Sequence, residues 1–238
     1  MKALRLLKEV DVVVYDKLVS QPILDLIPPG TTRIFAGKAA KNHYMPQQEI
    51  NELLVSLARS GRRVMRLKGG DPFLFGRGGE EAVYLVGHGI PFEVVPGITS
   101  SAGCAAYAGI PLTHRDLAHS VRFVTGHTRD GAFLDIDWKS LADPATTLVV
   151  YMGRTNVQRI ATELIAAGLD PATPAAAINK GTTPEQRVLL ATLQTIAATI
   201  ERADLSGPTL MIIGKVASLT ETLAWFAPAA AVEAEARS

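Results

Sequence analysis

The chain has 238 residues, of which 47% are hydrophobic, and a formal net charge of +1. This length allows one large domain or two small ones, and the composition is ordinary for a folded soluble protein. Because the chain has neither a basic excess nor a long run of like charge, we expect no nucleic-acid partner and no membrane-surface partner.

The cysteine content and the first residues bear on the cellular compartment. The single cysteine, Cys104, excludes an internal disulfide, and its small neighbours Gly103 and Ala105 favour a buried residue over a nucleophile. The chain does not open with a recognisable signal peptide. We therefore expect a cytoplasmic protein.

Apolar strand-like runs alternate with amphipathic helix-like runs, which predicts an α/β fold with largely parallel strand pairing. In the first half, strands are predicted at residues 11–15, 33–36, 63–67 and 92–95. A helix is predicted at residues 47–60, where apolar residues recur at helical spacing. In the second half, strands are predicted at residues 121–125, 147–151, 175–178, 187–191 and 209–213.

A turn-rich segment at residues 109–115 separates the two halves. We therefore predict a boundary near residues 112–119, with an N-terminal α/β domain at 1–115 and a C-terminal α/β domain at 116–238. The alanine- and glutamate-rich tail from residue 227 has no apolar stripe and is predicted to fray.

The segment RLKGGDPFLFGRGGEE, at residues 66–81, is the most informative part of the chain. Its predicted strand stops at Gly69 and Gly70, Asp71 then makes a turn with Pro72, and a second glycine cluster opens a helix near Glu80. A plain strand-to-helix turn needs only one or two glycines, whereas five occur at residues 69–79. Glycine lets the backbone approach a ligand closely, so the pattern favours a ligand-binding loop.

Polar loops follow most of the predicted strands. In open α/β sheets, ligands bind at the carboxyl ends of the strands. We therefore expect these loops to line one cleft.

Seven motifs occur in one order along almost the whole chain: YDKLVS at 15–20, GK at 37–38, the 66–81 segment, VVPGITSS at 94–101, GIPLTHR at 109–115, VTGH at 124–127 and YMGR at 151–154. Together they strongly resemble the uroporphyrinogen-III C-methyltransferases of the tetrapyrrole methylase family. The resemblance implies two α/β domains with the active site in the cleft between them, and a homodimer. It also implies that S-adenosylmethionine methylates two pyrrole carbons of uroporphyrinogen III, giving precorrin-2 via precorrin-1 in sirohaem- or cobalamin-type synthesis.

The start of the chain departs from the family pattern. The family begins with a strand and a glycine-proline loop before the run KALRLL, whereas here Met1 directly precedes Lys2. Either the start codon is assigned too late or the polypeptide is truncated. We favour the first explanation, because loss of a central parallel strand would leave backbone groups unpaired.

By resemblance, Asp16 is the proton acceptor and Lys38 the proton donor. Both follow predicted strands and could face the cleft as base and acid, which is compatible with these roles. From the residues alone, a turn acid and a solvated surface lysine remain equally open.

The resemblance also assigns the binding residues. The methyl donor is assigned to Gly69, Gly70, Asp71, Leu74, Thr99, Ser100, Met152 and Gly181. Lys17, Arg77, Arg115 and Arg154 are the candidates for binding the substrate carboxylates, because cationic groups, and arginine forks in particular, are the natural partners of carboxylates. Glu80 and His127 also match substrate-pocket positions, where they could hydrogen-bond pyrrole or propionate groups. The family commonly has arginine where Lys17 stands. No metal site is expected, because the histidines lack metal-ligand spacing.

Structural roles remain open for four of these residues. Leu74 and Met152 could instead pack in the core, Glu80 could cap a helix, and His127 could be a buried structural histidine. Three other functions are also open: a different methylase of the same fold, a nucleotide-binding module, and a truncated paralogue that binds tetrapyrrole without catalysis. The nucleotide motifs G-x-G-x-x-G and G-x-x-x-x-G-K-[ST] do not occur in the required strand-to-helix setting.

Overall fold

The computed structural model describes residues 1–37, 45–127 and 136–227. The chain divides into two compact units, Met1–Thr99 and Ser100–Ser238. Both units contain a sheet with helices, so the predicted α/β class is confirmed. The predicted Lys38 and the predicted frayed tail beyond residue 227 lie outside the described residues.

Among its described residues, the first unit has a three-stranded sheet and four helices. Its strands are β1 (Val12–Tyr15), β2 (Thr32–Phe35) and β3 (Val64–Leu67), and its helices are α1 (Lys2–Leu7), α2 (Gln21–Leu24), α3 (Gln47–Arg59) and α4 (Gly78–Gly87). The strand order is β2-β1-β3, and both pairings are parallel. Tyr15 therefore pairs with Phe35 and with Leu67, and the three strands end at one edge of the sheet.

The central strand β1 is buried because both of its faces pack against apolar side chains. Val12 and Val14 pack with Ile50 and Leu54 of α3, whereas Val13 points to the other face and packs with α1 and the residues after α2. Side chains alternate between faces along a strand, so a continuous valine run suits a strand covered on both sides.

One predicted strand of this half is not observed. Residues 91–99 adopt no helix or strand, and Phe92 is 45% exposed. Pro91 and Pro96 bracket the apolar run, and proline cannot donate a backbone hydrogen bond to a neighbouring strand. The helix that was predicted to begin near Glu80 begins at Gly78.

The second unit contains a five-stranded sheet. Its strands are β4 (Ser120–Thr125), β5 (Thr146–Tyr151), β6 (Pro174–Asn179), β7 (Arg187–Thr192) and β8 (Thr209–Ile213), in the order β4-β5-β8-β6-β7. Its helices are α5 (Ser100–Tyr107), α6 (Trp138–Leu141), α7 (Val157–Ala166), α8 (Ile196–Arg202) and α9 (Thr220–Leu223). Apolar residues of α7, α8, β5, β6 and β8 share one buried core.

The expectation of largely parallel pairing is wrong for this second sheet. Only β4 and β5 pair in parallel, whereas β8 is antiparallel to β5 and to β6, and β6 is antiparallel to β7. Strands β6 and β7 are joined by residues 180–186, and a parallel pair needs a crossover of a dozen or more residues. The short connection therefore requires an antiparallel pair.

The division between the two compact units falls before α5, between Thr99 and Ser100, whereas the domain boundary near residues 112–119 stays a prediction. Gln186 donates a hydrogen bond to the carbonyl of Tyr107 at 3.1 Å, and the indole of Trp225 donates to the carbonyl of Ala106 at 2.8 Å. These contacts attach α5 to the second unit. No helix in the described part of the chain is both long and apolar enough to cross a membrane.

Candidate functional site

The carboxyl-terminal edge of the first sheet collects the first group of candidate residues. Asp16 follows β1, Gly37 lies just beyond β2, and Lys68 follows β3. Because the three strands are parallel and in register, these residues lie at the same edge. The predicted convergence of strand-end loops therefore holds within this unit.

Asp16 lies beside a cluster of buried charges. Its Oδ1 accepts a hydrogen bond from the Leu18 backbone N at 3.0 Å, which fixes the carboxylate in a turn. Its Oδ2 is 3.5 Å from Arg66 Nη2 and 4.0 Å from Lys68 Nζ. The Asp16 side chain is 23% exposed, so it keeps an accessible face that can accept a proton from a ligand.

Glu81, on the first turn of α4, forms the other half of this cluster. Its Oε1 accepts hydrogen bonds from Arg66 Nε at 3.1 Å and from Gln47 Nε2 at 3.1 Å, and it is 3.5 Å from Lys68 Nζ. We call this group the strand-end charge cluster; its members are Arg66, Lys68, Glu81 and Asp16.

Sequence reasoning missed three members of the strand-end charge cluster. Arg66 interrupts the otherwise apolar strand VMRL, and an arginine inside a partly buried apolar strand calls for a partner. That interruption was the available signal. Nothing in the order of residues indicated which carboxylate would be the partner, because Glu80 and Glu81 are adjacent.

Burial lowers the pKa of the Lys68 ammonium below its usual value, and the positive charge of Arg66 lowers it further. The carboxylates of Glu81 and Asp16 act in the opposite direction and raise it. Its side chain is 10% exposed. A buried lysine without these two partners would be costly to keep charged.

The glycine loop after β3 brings two backbone segments into close contact. Gly70 has a φ of +79°, and an ideal β-carbon on Gly97 would lie 2.3 Å from the Gly70 carbonyl oxygen. Only glycine at position 97 permits this approach. Asp71 joins the same two segments, because its carboxylate accepts hydrogen bonds from the backbone N of Phe73 at 2.8 Å and of Gly97 at 3.0 Å.

Two non-glycine residues in this loop have left-handed backbone conformations. Phe75 has a φ of 53° and Arg77 a φ of 59°. Such conformations cost free energy for residues with a β-carbon, and they concentrate at ligand-binding loops and switch regions. Leu74, between the two glycine clusters, is partly buried.

Arg77 and Glu80, both predicted to bind substrate, pair with each other. Arg77 Nε donates to Glu80 Oε1 at 3.0 Å and Nη2 donates to Oε2 at 2.6 Å. The pair is exposed, with side chains 46% and 55% accessible. Lys17, the third predicted substrate residue of this unit, is also exposed, whereas Thr99 is partly buried.

In the second unit, the candidate residues again follow strand ends. Thr125 pairs with Tyr151 in parallel, so the loops holding His127 and Met152 leave the same edge of the sheet. Strand β6 is antiparallel to β8, which is antiparallel to β5, so Gly181 follows β6 at that edge as well. Met152 is 53% exposed and has a φ of 54°. Core packing of Met152 is therefore excluded.

Tyr151, which sequence reasoning did not select, links two predicted cofactor segments. Its hydroxyl accepts a hydrogen bond from the backbone N of Ser101, next to Ser100 at the start of α5, at 3.0 Å. The Ser101 side chain is fully buried, and its Oγ has no hydrogen-bond partner among the described residues.

Gly181 is in close contact with Cys104 on α5. An ideal β-carbon on Gly181 would lie 2.3 Å from Cys104 Sγ. Burial raises the pKa of the Cys104 thiol to about 11, so the thiol stays protonated near neutral pH. The expectation of a buried cysteine is therefore confirmed.

The remaining predicted substrate residues of the second unit are exposed. Arg154 donates a hydrogen bond from Nη1 to the Leu205 carbonyl. Arg115 forms no ion pair with any residue that the structure describes. His127 is exposed, and a buried structural role for it is thus wrong. Within the described ranges, no three side chains of histidine, cysteine, aspartate or glutamate are placed to hold a metal ion.

This arrangement defines an α/β protein that presents glycine loops and charged side chains at its strand ends. The sequence model of the Tetrapyrrole (Corrin/Porphyrin) Methylases matches residues 1–197. The chain therefore belongs to the tetrapyrrole methylase family, and the resemblance found in the sequence is confirmed.

Relatives and solved structures agree with this assignment. The chain is 57% identical over 225 residues to a siroheme synthase of Azotobacter vinelandii, covering 94% of this chain and 48% of the relative. It is 58% identical over 227 residues to that of Nitrosospira multiformis, covering 95% and 48%. The chain thus spans about half the length of these curated relatives.

Among solved structures, the chain is similar to the uroporphyrin-III C-methyl transferase from Thermus thermophilus in complex with S-adenyl homocysteine. The TM-score is 0.77 at 42% identity, over 92% of this chain and 91% of that chain. A cobalt precorrin-4 methyltransferase from cobalamin biosynthesis gives a TM-score of 0.79 at 27% identity, over 91% and 89%.

Proposed function

We propose that this chain catalyses the S-adenosylmethionine-dependent C-methylation of uroporphyrinogen III at two pyrrole carbons, giving precorrin-2 via precorrin-1. The observation that carries the proposal is the similarity to the Thermus thermophilus enzyme over nine-tenths of both chains, at 42% identity. The names of the curated relatives support a place in sirohaem synthesis.

The proposed role of Asp16 follows from the charge changes of the reaction. S-adenosylmethionine, when bound, supplies an electrophilic methyl group on a sulfonium sulfur. The pyrrole carbon provides the electron pair of the new C–C bond, and the S–C bond electrons leave with the sulfur. Positive charge then develops on the pyrrole ring, which must lose a proton. The proposed acceptor is the carboxylate of Asp16, and its partial exposure supports this role. Lys38 is proposed as the proton donor.

The chain's own residues fit a sulfonium nucleoside. The glycine backbone at Gly69 and Gly70, held by Asp71, is open to a ligand, and the exposed apolar side chain of Met152 suits a purine face. The buried hydroxyl of Ser101 lacks a partner among the described residues. The proposed methyl-donor residues are Gly69, Gly70, Asp71, Leu74, Thr99, Ser100, Met152 and Gly181.

The carboxylates of the substrate require cationic partners. We assign Lys17, Arg77, Arg115 and Arg154 to these carboxylates, and Glu80 and His127 to hydrogen bonds with the same substrate. Lys17 and Arg115 are exposed and form no ion pair among the described residues, whereas Arg77 is paired with Glu80 and Arg154 donates to a backbone carbonyl. A substrate carboxylate would compete with Glu80 for the Arg77 fork. We also propose that the protein is cytoplasmic and forms a homodimer.

The test is incubation of the purified chain with uroporphyrinogen III and S-adenosylmethionine labelled in the methyl group. Transfer of two labelled methyl groups, detected by mass, together with the absorbance of the dimethylated product, is expected. Labelled methyl transfer to a later corrinoid precursor, but not to uroporphyrinogen III, would assign the chain to another methylase of the family. Binding of tetrapyrrole without transfer would indicate a non-catalytic paralogue.

A further inference from the structure

Glu81 makes the short contacts of the strand-end charge cluster, whereas Asp16 makes the long ones. Glu81 Oε1 is 3.1 Å from Arg66 Nε, and Asp16 Oδ2 is 3.5 Å from Arg66 Nη2. Lys68 Nζ shows the same preference, at 3.5 Å from Glu81 and 4.0 Å from Asp16. Glu81 therefore holds both cations more closely than Asp16 does.

A hydrogen bond from helix α3 also fixes the position of Glu81. Gln47, on α3, donates from Nε2 to Glu81 Oε1 at 3.1 Å and to Asn51 Oδ1 at 3.0 Å. Glu81 is 5% exposed and Asn51 7%. A buried carboxylate with this many donors on one oxygen has little freedom to move.

The cluster contains two cations and two carboxylates, so its formal charges balance. Loss of the Glu81 charge would leave Arg66 and Lys68 with Asp16 as their remaining anion in the cluster. Both cations are nearly buried, and an uncompensated buried charge moves toward whatever counter-charge remains. Asp16 Oδ2 would then enter a close ion pair and become a poorer proton acceptor.

We propose that Glu81 is a positioning residue for the methylation: it holds Arg66 and Lys68 away from close contact with Asp16, so that the Asp16 carboxylate stays oriented and available to accept a proton. This inference rests on the proposed function. Glu81 touches neither substrate nor methyl donor in this role and acts through the two cations.

The primary test is the Glu81→Gln variant, which keeps the shape of the side chain and removes its charge. We expect kcat to fall about tenfold to a hundredfold while the Kd for S-adenosylhomocysteine changes less than about twofold. The matched control is Glu52→Gln on α3, whose carboxylate accepts a hydrogen bond from Gln48 of the same helix at 2.8 Å and pairs with no cation among the described residues. This control should keep the wild-type kcat.

A charge-balanced double variant separates positioning from a merely structural role. In Glu81→Gln/Lys68→Met, one cation leaves together with one anion, so kcat should recover part of the loss seen in Glu81→Gln. A double variant as slow as, or slower than, the single variant would overturn the proposal. A Glu81→Gln variant with wild-type kcat would overturn it as well.

Lysine NMR provides a readout that does not depend on turnover. Burial and the charge of Arg66 lower the pKa of Lys68, whereas the carboxylates of Glu81 and Asp16 raise it. The Lys68 ammonium should therefore titrate at lower pH in Glu81→Gln than in the wild type. An unchanged titration would contradict the proposed interaction between Glu81 and Lys68.

Two further outcomes are also decisive. If Glu81→Gln does not fold, the Gln47→Leu variant removes the hydrogen bond from Gln47 to Glu81 and keeps all four charges of the cluster. A several-fold lower kcat at unchanged thermal stability would support the proposal. A wild-type kcat in Gln47→Leu would overturn it. If the wild-type chain itself transfers no methyl group, the proposed function fails, and the Lys68 titration then still decides whether Glu81 controls the cluster.

Discussion

Gly181 and Cys104 are in such close contact that no side chain fits at position 181: a β-carbon there would lie 2.3 Å from the Cys104 sulfur. The contact joins the loop after β6 to helix α5. The resemblance assigns Gly181 to the methyl donor, and the geometry gives the same residue a packing role. A substitution here therefore tests structure as well as binding.

Gly181→Ala should destabilise the fold by about 1–3 kcal/mol, because overpacking forces the backbone or Cys104 to shift. Chemical denaturation would measure the change. The matched control is Gly87→Ala, where a β-carbon would meet nothing within 4 Å, and which should leave stability unchanged or slightly raised. The double variant Gly181→Ala/Cys104→Ala should recover most of the stability that Gly181→Ala loses. If the effects of the two substitutions on the free energy of unfolding simply add, the steric explanation is refuted.

The thiol of Cys104 should make stability fall with rising pH. Its pKa is about 11 in the folded protein against an ordinary 9.0, so between these values the folded state holds a proton that the unfolded state has lost. Stability from this group is therefore fully present below pH 9.0 and declines as pH rises to about 11. Denaturation of the wild type and of Cys104→Ala across this range should show the wild type losing stability relative to the variant. Parallel curves would contradict the raised pKa.

Asp71→Ala should loosen the glycine loop. The variant loses the hydrogen bonds from the backbone N of Phe73 and of Gly97, so the two exposed loop segments are no longer joined through this carboxylate. We expect a loss of about 1–2 kcal/mol in stability and weaker binding of S-adenosylhomocysteine, measured by calorimetry. Asp170→Ala is a matched control, because its carboxylate accepts from one backbone N, that of Ala172, in a loop of the second unit. An unchanged affinity of Asp71→Ala for S-adenosylhomocysteine would show that the glycine loop is not part of the binding site.

Asp16→Asn should fold normally and lose methylation, because the amide cannot accept the proton that the alkylated ring releases. A fall in kcat of about a hundredfold or more is expected, the usual size of a general-base contribution. Asp25→Asn, an exposed acid at the end of α2 that accepts from Gln21 at 2.7 Å, should retain wild-type turnover. Near-normal turnover in Asp16→Asn would exclude Asp16 as the proton acceptor.

Local pattern predicted most of the strands, because each buried run is read from consecutive residues. The strand at Thr209–Ile213 is observed with the predicted bounds, and the others differ by a residue or two at their ends. The exception, residues 92–95, shows the limit of this reasoning: an apolar run becomes a strand only if a neighbouring strand has free backbone groups to pair with it. The direction of pairing in the second sheet likewise depends on which strands lie side by side, and local pattern does not show this.

The sequence by itself determined the family, the α/β class, the glycine loop at residues 66–81 and the presence of Asp16 after a buried strand, because these are properties of consecutive residues and of motif order. Only the tertiary structure decided which charges meet. The register of the parallel sheet places Arg66 on β3 and Lys68 just after it beside Asp16, which follows β1. The packing of helix α4 then adds Glu81 to this group. Electrostatic interaction depends on distance in space, and the chain order alone does not state that distance.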